Sequence, residues 1–219
     1  MRKPILMISW LLLSLFLLFQ GGPITSGAET DPNLLKVLRK VKEREKSIRT
    51  FSAAFHQLKK TSLLEDPLRS EGRIFFDRSG KILLKITKPS VSTVLIKKGW
   101  ITLYYPEFSK KEERYIGERF IRKHFGLECS LEEIEKHYDI EFSEERYSGP
   151  YRLLLKPRDK AFRKYVSSIE LLLDPGSWLP TSITVMEKGG DVTRITLKFL
   201  SINEPLPKGV FRPDIPDTR

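Results

Sequence analysis

One cysteine, Cys129, serves a chain of 219 residues. No intramolecular disulfide can form, so the fold must rest on packing. A lone thiol of this kind reads as buried and inert rather than reactive. Histidine is scarce too. His56, His124 and His137 make no i,i+4 pair, and with a single cysteine there is no zinc-ligand pattern. No G-x-S-x-G, H-E-x-x-H, Walker loop or dinucleotide fingerprint occurs. The adjacent carboxylates Glu112-Glu113, Glu132-Glu133 and Glu144-Glu145 are the nearest approach to a hydrolytic pair, and solvated surface is the simpler reading. Repeats and low-complexity stretches are missing as well. The expectation is a protein with no catalytic residues, no metal and no cofactor. Acid is in deficit: 39 Lys and Arg face 28 Asp and Glu, a formal charge of +11.

What is present begins with the first thirty residues. Arg2 and Lys3 precede an apolar run from Ile5 to Phe19, broken only by Ser9 and Ser14. Gln20-Gly21-Gly22-Pro23 ends it, and Ser26-Gly27-Ala28 puts small residues at −3 and −1 before Glu29. That layout predicts a cleaved secretory signal peptide over 1–28, with 29–219 as a single domain. The run is short for a membrane span, which takes about 20 apolar residues. A retained N-terminal anchor is the alternative. No cysteine at the cut could carry a lipid. Loss of Arg2 and Lys3 leaves +9 on the mature chain. A charge that large favours anionic surfaces. Export argues against nucleic acid, so anionic lipid headgroups or an acidic protein partner fit better. An ordinary basic, soluble surface is the plain alternative.

Asp31-Pro32 is a helix-start signal. Leu34, Leu35, Leu38, Val41 and Ile48 then recur at helical spacing, predicting an amphipathic helix over 33–49. From Thr50 the period changes to two. Phe51, Ala53, Phe55 and Gln57 share one face of a first strand. Further strands are predicted at about 68–78, 81–88, 91–97, 100–105, 112–117, 138–146, 150–156, 166–174, 180–187 and 192–203. Ser79-Gly80, Pro89-Ser90, Lys98-Gly99, Asp174-Pro175-Gly176 and Gly189-Gly190 supply turns. Two short helices interrupt the series. Phe120, Ile121, Phe125 and Leu127 fall at helical spacing, and Ser130-Leu131-Glu132-Glu133 is a capping box opening a second helix through His137. The tail from Pro205 holds four prolines and reads as irregular. Eleven antiparallel strands in a meander tend to curl into a barrel or half-barrel.

The strands carry apolar residues on both faces. Ile74, Phe76 and Arg78 lie on one side of the second strand, with Arg73, Phe75 and Asp77 on the other. Ile82, Leu84 and Ile86 oppose Leu83 on the third. A curved sheet with an apolar concave side would account for this, and so would an ordinary filled core.

The opening strand Phe51-x-Ala53-x-Phe55-x-Gln57 resembles that of the periplasmic outer-membrane lipoprotein carrier family, LolA. The stretch Gly72-Arg73-Ile74-Phe75-Phe76-Asp77-Arg78-Ser79-Gly80-Lys81, followed by Pro89 and by Gly99 to Tyr105-Pro106, resembles its central signature. Asn203, Phe211 and Pro216 resemble its C-terminal end. Ser79 stands where that family usually has proline, and Leu84 where tryptophan is common. The resemblance implies an eleven-stranded antiparallel half-barrel, closed by a helical lid around a hydrophobic cavity. It implies a monomeric periplasmic carrier that takes lipoproteins from an inner-membrane transporter, shields their acyl chains and passes them to an outer-membrane acceptor. The expected cavity draws Ile74, Phe76, Ile82, Leu84 and Ile86 from the sheet. Phe120, Ile121 and Phe125 come from the lid, and Leu35, Leu38 and Val41 from the first helix. Arg78 is the expected lid contact. Carbonyls at the end of a lid helix could satisfy its guanidinium; an exposed arginine at a strand end is the alternative. A carrier of another lipid, or a sensor module that binds protein on the same fold, remains open.

Overall fold

The period change at Thr50 separates a helix from the strands that follow it. The computed structural model describes residues 32–118, 136–144, 149–160 and 162–216. Helix α1 spans Pro32–Ser47, with proline in its first turn, where no amide hydrogen is needed. The strands are β1 (Thr50–Lys60), β2 (Leu68–Asp77), β3 (Lys81–Lys88), β4 (Ser92–Lys97), β5 (Trp100–Tyr105) and β6 (Lys110–Tyr115). They continue as β7 (Tyr138–Glu144), β8 (Tyr151–Pro157), β9 (Val166–Leu173), β10 (Pro180–Glu187) and β11 (Val192–Ile202). The signal peptide, Phe120, Ile121, Phe125, the capping box and Cys129 lie outside the described residues. No helix among the described residues is long and apolar enough to cross a membrane.

All eleven strands join one antiparallel open sheet in the order β6-β5-β4-β3-β2-β1-β11-β10-β9-β8-β7. Every pair but one joins strands consecutive in the chain. The exception is β1 with β11, which brings the two ends of the chain together at the middle of the sheet. The edges are β6 and β7. Strand β6, Lys-Lys-Glu-Glu-Arg-Tyr, has no buried residue, and its charges discourage edge-to-edge pairing. It begins at Lys110 rather than near 112. Just past its end, the amides of Ile116 and Gly117 turn onto the Gly99 carbonyl at 2.8 and 3.1 Å.

The turns hold as their residues require. At β2–β3, the Gly80 amide donates to the Asp77 carbonyl (3.0 Å) and the Ser79 amide to Asp77 Oδ1 (2.8 Å). At β9–β10, Asp174 Oδ2 accepts from the Ser177 amide (2.6 Å).

Helix α1 marks the inner face of the sheet. Its buried Leu34, Val37 and Leu38 join Leu153, Leu155, Ile169 and Val185, so it covers the β7–β10 half. A second cluster lies inside β1–β5 and β11, and Ile48 joins it from just past the helix end. The apolar residues of the opposite, outer face have a separate cause. Phe75, Leu83 and Leu95 are covered by Leu206, Val210 and Phe211 of the C-terminal tail. Apolar residues on both faces of β2 and β3 therefore reflect a strap laid across the outside as well as an apolar inside.

Candidate functional site

The inner face over β1–β5 is built by cross-strand register. One row runs Phe51, Phe76, Ile82, Ile96 and Ile101 across five strands. The next runs Ala53, Ile74, Leu84, Val94 and Leu103. A third runs Phe55, Gly72, Ile86 and Ser92. Phe51 stacks on Phe76 with ring centroids 4.9 Å apart and meets Phe199 edge-on at 5.3 Å. Gly72 is required here. A Cβ on it would fall 2.1 Å from the Lys85 carbonyl oxygen, at the bulge where β2 meets β3.

The five sheet residues expected in the cavity therefore share one cluster: Phe76, Ile82, Leu84 and Ile86 are buried, and Ile74 packs partly buried against them. The helix residues divide differently. Leu38 is buried and Val41 packs partly buried, both in the α1 cluster, not in the cluster of the five sheet residues. Leu35 is 37% exposed. The inward stripe of α1 runs through Leu34, Val37, Leu38 and Val41, spacings of three and four, and Leu35 falls at its margin. The lid residues Phe120, Ile121 and Phe125 lie outside the described residues.

Arg78 sits immediately after β2. Its Nη1 donates to the carbonyls of Glu45 (2.8 Å), Lys46 (3.1 Å) and Ile48 (2.7 Å). Its Nη2 lies 4.0 Å from Glu45 Oε1. The last carbonyls of a helix have no partner within it, and the helix dipole leaves them electron-rich, so a guanidinium there satisfies both needs. Arg78 is therefore tied to the end of α1, with 32% of its side chain exposed. Neighbouring Asp77 feels burial, which raises its pKa. Its hydrogen bonds from Ser79, with the Lys81 ammonium nearby, outweigh this and hold the carboxyl below its ordinary 3.8.

A second tie holds the same junction. Asn203 Nδ2 donates to the Ser47 carbonyl (2.8 Å), and its Oδ1 accepts from the Arg49 amide (2.6 Å). The Asn203 backbone is left-handed (φ 59°), a conformation asparagine tolerates well. The sequence offered Asn203 only as part of a C-terminal resemblance. Its role depends on β1 lying beside β11, which no local pattern encodes. Lys59 also escaped notice. Alternation along β1 carries it inward, where it is buried against Glu187 Oε1 (2.8 Å) and Asp191 Oδ2 (3.6 Å). On the same face of β1, between Phe55 and Lys59, buried Gln57 keeps Oε1 without a hydrogen bond among the described residues.

Among the described residues no group of His, Cys, Asp or Glu is arranged to hold a metal ion. The geometry offers apolar contact area and a tethered helix end.

No curated protein matches the chain. Solved structures share its fold at low identity. An uncharacterized conserved protein from Thermus thermophilus has 9% identity and a TM-score of 0.52 over 81% of this chain and 91% of that one. The Mycobacterium tuberculosis lipoprotein LppX has 11% identity and a TM-score of 0.50 over 81% and 99%. A chain of the Pseudomonas aeruginosa MucA/MucB complex has 14% identity and a TM-score of 0.50 over 82% of this chain and 60% of that one. The profile of the outer membrane lipoprotein carrier protein LolA matches residues 46–214. That span runs from the end of α1, where Arg78 is tied, through all eleven strands into the strap, and by it the chain belongs to the LolA family.

Proposed function

We propose that this protein is a periplasmic carrier that shields the acyl chains of lipoproteins and moves them from the inner to the outer membrane. The observation that carries the reading is the apolar inner face of β1–β5, beside a helix end held by Arg78. Each methylene withdrawn from water contributes about 0.8 kcal/mol, so an acyl chain does not cross an aqueous space uncovered. Ile74, Phe76, Ile82, Leu84 and Ile86 form the wall that receives it. Leu38 and Val41 flank it from α1, with Leu35 at the margin and Phe120, Ile121 and Phe125 as lid. Ile82, Leu84 and Ile86 are almost fully buried, so a chain reaches them only when this face opens. The Arg78 ties then act as a reversible latch on the closed form. A signal peptide over 1–28 would bring the protein to this compartment. An inner-membrane lipoprotein-releasing transporter would load it there, and an outer-membrane acceptor would unload it, with the carrier working as a monomer and without catalysis or cofactor.

Mass spectrometry of the purified protein tests this. Co-purifying diacyl or triacyl species, together with stoichiometric binding of an environment-sensitive apolar dye that acyl peptide displaces, are the expected results. A folded protein that binds no apolar probe has a filled core and is no carrier. A second reading takes support from the fold shared with a chain of the MucA/MucB complex: a module that binds a protein partner. A lipid-free protein that purifies with a stable protein partner would favour it.

A further inference from the structure

The outer face of the sheet is divided by charge. Over β7–β9 its cations are paired: Arg152 with Glu170 (2.5 Å), Lys156 with Glu141, and Arg158 with Asp139 (2.8 Å). Over β11, β1, β2 and β3 six of them are not, among them Lys60 at the end of β1. Arg73 and Lys85 lie directly opposite each other across β2 and β3, and Lys198 lies beyond Ala54 in the same row. Arg69 and Arg194 flank Leu58 a little further along. All six are exposed, and none has an ion-pair partner among the described residues. These four strands carry only two acidic residues, Glu71 and Asp77. Glu71 is already held by Lys88 (2.5 Å) with His56 at 3.3 Å, and Asp77 lies 3.7 Å from Lys81.

Like charges placed directly opposite destabilise a sheet. Neighbouring strands are about 4.8 Å apart, so the Arg73–Lys85–Lys198 row is spaced within about a Debye length and its field adds rather than being screened away. Between Arg69 and Arg194 lies a groove of about 450 Å³, also lined by His56, Glu71 and Lys88. On the same face, two strands beyond β3, exposed Trp100 and Tyr115 pair with centroids 5.3 Å apart. Aromatic rings of this amphipathic kind settle at membrane–water interfaces.

From this unneutralised array we infer that the outer face of β11, β1, β2 and β3, where the strap leaves it uncovered, docks on a membrane surface bearing anionic phospholipid headgroups. The array is broad and exposed, and the aromatic pair shares its face. Those features suit headgroups spread over a surface better than a single carboxylate of a protein. The acyl wall of the proposed carrier lies on the opposite face of the sheet, so docking and cargo binding are separable.

The test uses the full mature chain and vesicles of pure phosphatidylcholine, or of phosphatidylcholine with one third phosphatidylglycerol, in co-sedimentation. Binding is expected to the mixed vesicles alone and to vanish at about 0.5 M salt, where screening is severe. Each basic residue brought to such a surface is worth about a fivefold gain in partition. The triple variant R73Q/K85Q/K198Q is therefore expected to lose about a hundredfold, while R152Q/K156Q on the paired half keeps wild-type partition. Should the triple variant misfold, K85Q alone is expected to lose about fivefold. Apolar-dye binding is expected to be unchanged in all of them. Equal binding to both vesicle types, wild-type partition of the triple variant, or capture of an acidic protein while mixed vesicles are ignored would each overturn the inference.

Discussion

Arg78 reaches three carbonyls at the end of α1, and that geometry divides two accounts of the residue. A surface arginine would be indifferent to what becomes of the helix. A latch would not. Arg78→Leu is expected to leave the fold intact, because leucine adds apolar contact and the lost charge was only part-buried. The closed, empty state loses roughly 1.5–3 kcal/mol of charge-assisted hydrogen bonding. Cargo then no longer competes with closure, so loading persists and release slows. Transfer of labelled lipoprotein from loaded carrier to acceptor or liposome measures this. Wild-type transfer by the variant would remove the latch. Arg78→Lys is expected to fall between the two, since an ammonium lacks the planar fork. Next to it, Asp77 offers a pH signature. Its pKa is depressed on folding, so its contribution is complete above 3.8 and is lost as pH falls through the lower folded value. Asp77→Asn is therefore expected to cost stability at neutral pH and little in strong acid, read from urea midpoints at both. The Gly72–Lys81 stretch pointed Arg78 at the carbonyls of a lid helix, which lies outside the described residues, whereas the carbonyls it meets are those at the end of α1. The tie through Asn203 was not, because it spans 156 positions to Ser47.

At the scale of elements, periodicity was the main guide. The switch from a 3.6 to a 2 repeat at Thr50 marks the observed boundary between α1 and β1. All eleven expected strands form, and the turn residues punctuate them where sequence placed them. Two readings needed the structure. The inward stripe of α1 takes Val37 and leaves Leu35 at its margin, because spacing alone left the stripe free to rotate by one residue. The apolar outer residues of β2 and β3 needed the strap, and a proline-rich tail gives no periodicity by which to place it. Gly72 shows how tightly two elements are fitted. A methyl group there would meet β3 backbone, which cannot swing aside as a flexible side chain can. Gly72→Ala is expected to cost about 2–3 kcal/mol, the upper part of the ordinary range for one substitution. Chemical denaturation measures it, and a cost under about 0.5 kcal/mol, the size of an ordinary surface change, would mean that the bulge relaxes freely.

Among the described residues a single sheet joins the first strand to the last at its middle, β1 against β11. Local hairpins and longer connections run outward from that seam to the edges β6 and β7. Sequence reading reached the strand number and the antiparallel class but not the seam, because pairing between distant strands leaves no local mark. The seam matters for function. It fixes Asn203, and so the end of α1, to the centre of the sheet. One half of the inner face is then covered by α1 through Leu34, Val37 and Leu38, while the Arg78 ties stand at the edge of the other. If cargo enters by opening, motion must concentrate at that helix end while the strands hold. Hydrogen exchange on empty and probe-loaded protein separates the possibilities. Amides of β1, β2 and β11 are expected to exchange slowly in both states, as the best-protected unit of the fold. The amides near Ile48 and Arg49, by contrast, are expected to exchange at least about tenfold faster when loaded. That is a local opening favoured by about 1.4 kcal/mol, close to the strength of the ties that cargo displaces. Identical protection at the helix end with and without a bound probe would mean that α1 never moves, and that the acyl chain finds another way in.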